Sequence, residues 1–503
     1  MARRLSAPWP TTPGSVFFGD VASVATLSRA VKDGRLRRLA RGLYSADWHA
    51  EPAELVARNR WAIVARLVPD ALIADRSAAA GGMPVAGSLT VVSTERKEEL
   101  VLPGLVISPR QGHGPLDDDL GWAAGLHMTS DHRTLVDNLA VSRGRGGKLP
   151  RTLSRSELEN WIVRTSQRRP DGWLLTLRRR ALEICDELSV PARRHLVEDI
   201  VGVAAGTRDA RAGAGPLLAA RAAGHEYDPD RVTRFDELAR FLAVIPAELD
   251  IPASLPGLVD EPATSLPFFE AYFSNFIEGT EFSVDEAEAI VASRQIPQER
   301  PEDAHDVLGT FEAVADADLR AATPGTSDEL FALLERRHRL VMGGRPDKRP
   351  GELKEKLNQA GSYVFVPPAL VEGTLIEGFH RLIDLPPGFP RAVYEQFLIS
   401  EVHPYDDGNG RVARAAMCAE LTAAGQARIV VPIVFRNEYQ IALRNASRDG
   451  RYDLLVRTLA HAWRWTAGIP WHDRAAVDGY LVATNALTDS TDAQRSGARL
   501  ELS

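Results

Sequence analysis

The chain has 503 residues, 44% hydrophobic and 25% charged, with a formal net charge of -8. This excludes one ordinary domain and a disordered or fibrous chain, and confines any nucleic-acid affinity to a local basic patch, because the whole-molecule field opposes it. Only Cys185 and Cys418 occur, which excludes a disulfide framework and a four-cysteine zinc site.

The opening MARRLSAPWPTTPG carries no signal-type apolar run, and nowhere do about 18 apolar residues follow one another. The expectation is a cytoplasmic chain that is neither exported nor inserted in a membrane. Residues 15–48 read as helix, helix, hairpin. In the hairpin Lys32, Arg35, Arg37, Arg38 and Arg41 alternate with Leu36 and Leu39, so that leucines pack inward and cations face out, either onto a phosphate backbone or into solvent. The runs SRAVKDGRLRRLARGLY, DALIADRSAAAGGMPV and HRTLVDNLA resemble the N-terminal half of AbiEi-like antitoxin regulators. The resemblance covers about residues 15–140. It implies a DNA-binding winged helix-turn-helix (15–60), a small mixed α/β domain (61–140) and transcriptional autoregulation. Arg133, Thr134 and Asp137 in the last run read as a helix cap with its ion pair.

GSLTVVST and LVLPGLVISP place strands at about 87–108. VSRGRGGKLP (141–150) is a basic Gly-rich linker, lacking the spacing, Ser/Thr and helix of a phosphate loop. Residues 150–255 carry apolar residues at helical spacing and read as a helical connector without chemistry. From 262 to 472 the chain is predominantly helical, with Trp463, Trp465 and Trp471 expected in its core, and 485–503 reads as a disordered tail.

The twelve residues HPYDDGNGRVAR (403–414) concentrate the chemistry. RAVYEQFLISEV predicts a helix ending at His403, before Pro404. Val412, Ala415, Ala416 and Ala419 form the apolar stripe of a second helix. Gly408, Asn409 and Gly410 open that helix, so free amides and bare backbone make an anion nest. Arg411 and Arg414, three apart, share a face and extend the cradle along a chain of phosphates. Asp407 adds one hard oxygen ligand, which suits Mg²⁺ with substrate phosphates. His403, with a near-neutral intrinsic pKa, is the base beside the held phosphate.

This stretch is similar to the Fic family signature, His-x-Phe-x-(Asp/Glu)-Gly-Asn-Gly-Arg-x-x-Arg, with Tyr405 in the Phe position. The resemblance implies transfer of AMP from Mg-ATP to a Ser, Thr or Tyr hydroxyl of a protein. It makes His403 the general base, Asp407 the metal ligand, Asn409 and the glycine amides the anion hole, and Arg411 and Arg414 the phosphate clamps. It also implies a flap at Tyr363, Val364 and Phe365 that pairs with the target segment, and an aromatic, Tyr439, in the nucleotide site. FFEAYFSNFIEG (268–279) predicts a helix capped by Gly279. Ser274 and Glu278 within it match the family's inhibitory (Ser/Thr)-x-x-x-Glu-(Gly/Asn) pattern, which implies an inhibitory helix at 267–279 whose Glu278 pairs with Arg414 in place of the γ-phosphate.

The expected fold is mainly α and multidomain, with a winged helix and small mixed α/β domain N-terminal to an all-α Fic domain bearing a β-hairpin flap. The expected partners are ATP, a protein target and, through the N-terminal region, DNA; a homodimer is left open. Two alternatives stand beside the transferase: a DNA-binding regulator with a nucleotide-sensing Fic module, and a hydrolase that removes AMP.

Overall fold

A computed structural model describes residues 9–144, 148–258 and 264–502, and the chain divides into two compact units at Ala223/Gly224. Gly146 and Gly147 of the expected linker lie outside the described residues. Among the described residues no helix is long and apolar enough to cross a membrane.

The first unit opens with β1 (Phe17–Phe18), α1 (Val24–Lys32), β2 (Arg37–Ala40) and β3 (Leu43–Ser45), the strands pairing in the order β1-β3-β2. Ser23 caps α1 by accepting from the Thr26 amide at 3.2 Å. Leu36 and Leu39 are both buried, but in different clusters, Leu36 with Trp9, Phe17 and Leu27 and Leu39 with Leu43 and Leu55, because residues three apart on a strand face opposite sides; Lys32, Arg35, Arg38 and Arg41 are exposed. Arg37 differs: it is half-buried and donates to the Ala50 carbonyl. The first of the two expected helices is also absent here. Its place is taken by β1 and a 3-10 turn, Gly19–Val21, because the Gly19 amide donates to Gly42 O at 2.9 Å and ties the segment to the hairpin.

Next come α2 (Pro52–Arg58), α3 (Arg60–Leu67), β4 (Leu72–Ile73), α4 (Asp75–Ala79), β5 (Ser88–Ser93), β6 (Leu100–Leu102), β7 (Leu105–Gln111), β8 (Leu120–Gly121), β9 (His127–Met128) and α5 (Asp131–Asn138). The six strands form one mixed sheet, β6-β7-β5-β4-β9-β8, with β5–β7 and β4–β9 parallel. It therefore extends beyond the expected 87–108 on both sides. Arg133 is buried and ion-paired, to Asp119 at 2.7 Å and Asp137 at 3.5 Å, a structural role. Four helices complete the unit: α6 (Arg155–Ser166), α7 (Trp173–Glu187), α8 (Arg194–Ala204) and α9 (Pro216–Ala222).

Among the described residues the second unit is mainly helical, with one hairpin. It comprises α10 (Pro229–Ala243), α11 (Leu266–Ile277), α12 (Val284–Ser293), α13 (Pro301–Ala315), α14 (Ser327–Val341), β10 (Gln359–Ala360), β11 (Tyr363–Val364), α15 (Pro368–Leu382), α16 (Phe389–Val402), α17 (Asn409–Ala423), α18 (Arg436–Asp449), α19 (Tyr452–Ala467), α20 (Arg474–Ala483) and α21 (Ser490–Ser496). Helices α16 and α17 pack as an antiparallel pair at its centre, each with most of its residues buried. The aromatic face of α11, including Phe269, Tyr272 and Phe273, joins Trp465 and Trp471 in one core cluster. Trp463 is fully buried against Phe389, rings 4.8 Å apart.

Two sequence expectations change here. The segment read as a connector is divided, since α10 belongs to the second unit and packs on α15 and α16. The tail read as disordered folds: Asp489 caps α21 by accepting from Thr491 and Asp492 amides, and Ala493 and Leu500 enter the Trp465/Trp471 cluster. Within α21 Ala493 is the one apolar residue and Leu500 lies beyond the helix, a signal too sparse for periodicity to find.

Candidate active site

The arch at the centre of the second unit begins where α16 runs out. His403 takes a left-handed conformation, φ 55°, as the cap of α16. That geometry costs a non-glycine residue roughly 1–3 kcal/mol and persists only where neighbours enforce it. Its ring is stacked on Phe365, centroids 3.8 Å apart and planes within 10°. His403 Nδ1 lies 3.4 Å from the Ser400 carbonyl, an arrangement that leaves Nε2 as the free base when Nδ1 carries the proton. Burial, with help from the Lys354 charge, lowers the His403 pKa to about 4. The imidazole is therefore neutral near pH 7 and can accept a proton.

Asn409 closes the loop from the other side. Its Oδ1 accepts from Tyr405 N and its Nδ2 donates to Tyr405 O, both at 2.9 Å. The side chain expected in an anion hole is thus spent on stapling the loop. What remains for an anion is the first turn of α17, where helical geometry gives the Asn409, Gly410 and Arg411 amides no intrahelical acceptor. Gly408 has φ 72°, and a Cβ there would meet Met342 Sδ at 2.7 Å, so the turn requires glycine. Tyr405, in the Phe position of the signature, is buried. Its ring lies on His338 with centroids 3.7 Å apart, and His338 Nε2 is 3.1 Å from Asp407 O while its Nδ1 accepts from Gly351 N at 2.8 Å.

The two arginines separate. Arg411 is buried and ion-paired to Asp306 at 2.7 Å, with Asn275 Oδ1 at 3.3 Å. It is a strut between α11, α13 and α17, a correction to its expected place on outer phosphates, because a guanidinium paired so closely with a buried carboxylate is not available to a ligand. Arg414 faces α11. Its Nε donates to Ser274 Oγ at 2.9 Å, and one terminal nitrogen donates to Ser274 O at 2.9 Å and Glu278 Oε1 at 2.6 Å. The Tyr439 hydroxyl accepts from Gln396 at 2.7 Å.

Glu278 is delivered by a Schellman end to α11. Gly279, at φ 97°, donates to Phe276 O, and Thr280 N reaches Asn275 O, each at 3.1 Å. The carboxylate lies over the first turn of α17, where a Cβ on Gly410 would collide with Oε1. Burial works to raise the Glu278 pKa, but Arg414 outweighs it and holds the carboxyl below its ordinary value.

Asp407 projects outward, its side chain 47% exposed, with Oδ1 accepting from Gly408 N at 2.7 Å. Among the described residues no group of three or more His, Cys, Asp and Glu is placed to hold a metal. A single carboxylate with a free oxygen nevertheless fits Mg²⁺, which draws most of its ligands from phosphates and water.

Where a flap was expected there is a hairpin, β10–β11, with Gln359 opposite Val364 and Ala360 opposite Tyr363. Its anchor was not legible in the sequence. Arg231 of α10 donates to Val364 O and Glu401, both at 2.6 Å, and Tyr363 donates to Glu401 at 2.5 Å. The Val364 side chain is exposed. His403, Gly410, Arg414, Tyr439 and Glu278 line one cavity of about 650 Å³ with flap residues Tyr363 and Phe365.

A neutral imidazole, helix-start amides and a buried arginine around one cavity are groups that could hold and act on an activated phosphate. Residues 330–421, within the second unit, match the Fic/DOC family model. The chain is similar to "Protein adenylyltransferase Fic" of Nematostella vectensis, 25% identical over 52% of this chain and 57% of the relative. It is similar also to "Protein adenylyltransferase fic-1" of Caenorhabditis elegans, 24% identical over 44% of this chain and 43% of the relative. The chain thus spans about half the length of these curated relatives. Among solved structures, Fic-1 (aa134 - 508) from C. elegans aligns at 16% identity over 66% of this chain and 89% of that one, with a TM-score of 0.34. Glu278 and Tyr439 lie outside the family match.

Proposed function

We propose that the chain is a Fic-type protein adenylyltransferase held in check by Glu278. The observation that carries this reading is the convergence of His403, Gly410 and Arg414 on the cavity that Glu278 enters from α11. ATP places its phosphates on the first turn of α17, with the γ-phosphate at Arg414. The Asp407 carboxylate would hold Mg²⁺, which supplies charge neutralisation on the phosphates. A Ser, Thr or Tyr hydroxyl of the target, presented along β11, attacks the α-phosphorus as its proton passes to His403 Nε2. An O–P bond forms, the bond to the bridging oxygen of the β-phosphate breaks, and pyrophosphate leaves.

Glu278 opposes this because a carboxylate and a γ-phosphate compete for one guanidinium, and a displaced γ-phosphate misaligns the α-phosphorus for in-line attack. The test is labelling of the full chain and candidate proteins with α-labelled ATP. Glu278→Gly is expected to label strongly and wild type weakly, and equal weak labelling by both sinks the reading.

Two further readings rest on single observations. Glu278 is 36% exposed at its side chain and shares the cavity with His403, which suits a carboxylate orienting water for AMP removal; wild type, and not Glu278→Gly, then releases AMP from a modified protein. Lys32, Arg35, Arg38 and Arg41 form an exposed basic face, which suits a phosphate backbone. A gel shift at low salt tests it, and an unchanged DNA mobility removes it.

A further inference from the structure

Lys354 is a buried lysine, 3% exposed, in the segment between α14 and the flap. Lysine is seldom buried without a partner, so its partners identify its task. Its Nζ donates to Asn358 Oδ1 at 2.7 Å and reaches Val402 O at 3.4 Å. Its backbone amide donates to Pro404 O at 2.9 Å, and Asn358 Nδ2 donates to Tyr405 O at 2.9 Å. The carbonyls flanking His403 on both sides, those of Val402, Pro404 and Tyr405, are thus all taken by residues 354–358. The same short segment holds the ring that His403 stacks on, since Phe365 N donates to Asn358 O at 3.1 Å.

His403 needs such support. It is a non-glycine residue in a left-handed conformation, and Val402 O belongs to the last turn of α16, where no further helical amide is available. A cation at that end also complements the helix dipole. We propose that Lys354 is a positioning residue for His403, its ammonium and the Asn358 amide clamping the catalytic loop and the flap to one another. This rests on the transferase reading given above and assigns it a residue that touches neither nucleotide nor target.

The groups facing the ammonium are Arg231 from α10 and, from the catalytic loop, Asp406 and His403. Burial, aided by Arg231, lowers the Lys354 pKa to about 7. Its charge, in turn, works with burial to keep His403 neutral.

The experiment uses the full chain carrying Glu278→Gly, to which Lys354→Met, Lys354→Arg and Asn358→Ala are added singly. Lys354→Met is expected to lower kcat about 100-fold while KM for ATP changes little, as for a misplaced catalytic group. Asn358→Ala, which removes the acceptor of the ammonium and the donor to Tyr405 O together, is expected to show the same split, and Lys354→Arg to recover part of kcat. Retention of kcat within about twofold by Lys354→Met and Asn358→Ala overturns the proposal.

A readout independent of turnover separates this from failure of the transferase reading. The His403 imidazole NMR signals, assigned by their loss in His403→Gln, are expected to shift in Lys354→Met, with the titration midpoint moving upward. Unchanged signals and midpoint overturn the proposal whether or not Glu278→Gly transfers AMP.

Discussion

Arg414 gives every hydrogen bond it makes to α11 through two residues one turn apart, Ser274 and Glu278, the latter at 2.6 Å. The guanidinium is thereby presented to the cavity already neutralised. Removing Glu278 frees a charge-assisted bond worth about 1.5–3 kcal/mol, so Glu278→Gly is expected to raise the labelling rate by about 10- to 100-fold. The rate of incorporation from α-labelled ATP checks this.

Gly410 supplies a second-site test of the same contact. A Cβ there points into the volume that Glu278 Oε1 occupies. In a Glu278→Gly background that volume is open to the nucleotide. Gly410→Ala is expected to close it again and return labelling to near the wild-type level, with an unchanged melting temperature. Labelling that stays high would place the phosphates elsewhere.

His403 and His338 both carry pKa values lowered to about 4 by burial. Each is neutral in the folded chain and binds a proton more readily when unfolded, near pH 6.5. Between about pH 6.5 and 4 the unfolded state therefore holds more protons, and stability falls as pH falls through that window. Urea denaturation at pH 7.5 and pH 5 reads this. His338→Phe keeps the ring against Tyr405 and is expected to lose stability at pH 7.5, through the lost bonds to Asp407 O and Gly351 N, yet show a shallower pH dependence.

The flap anchor gives a fourth expectation. Arg231 ties Val364 O and Glu401 together. Arg231→Met should loosen residues 359–364, raising their amide exchange by about 10-fold for a loss near 1.4 kcal/mol, and should raise KM for the protein target more than KM for ATP.

The parts of the site that were legible in sequence are those whose geometry follows from local spacing. The twelve residues from His403 to Arg414 carry a helix stop, two helix-opening glycines and a clamp three positions along, all set by helical geometry. Ser274 and Glu278 are one turn apart on a helix of strong aromatic content, whereas their pairing with Arg414 came from the resemblance to the family's inhibitory pattern and not from spacing. Lys354, Arg231, His338 and the pairing of Arg411 with Asp306 were not legible, because each has a partner 48 to 170 residues away and no periodicity encodes such a meeting. In the first unit Leu36 and Leu39 are inside as expected, but on two clusters and not one inward face, since three residues along a strand reverse the side. The expected first helix failed because one long-range backbone bond, Gly19 to Gly42, outweighed local pattern.

The central claim is that His403 drives transfer of the α-phosphate moiety of ATP and that Glu278 restrains it. It is tested most directly by incubating the full chain with ATP labelled at either the α- or the γ-phosphate, for wild type, Glu278→Gly and Glu278→Gly/His403→Ala. The account predicts incorporation from α-label alone, strong in Glu278→Gly, weak in wild type and lost in the double variant. Incorporation from γ-label, or equal incorporation by the double variant, would contradict it.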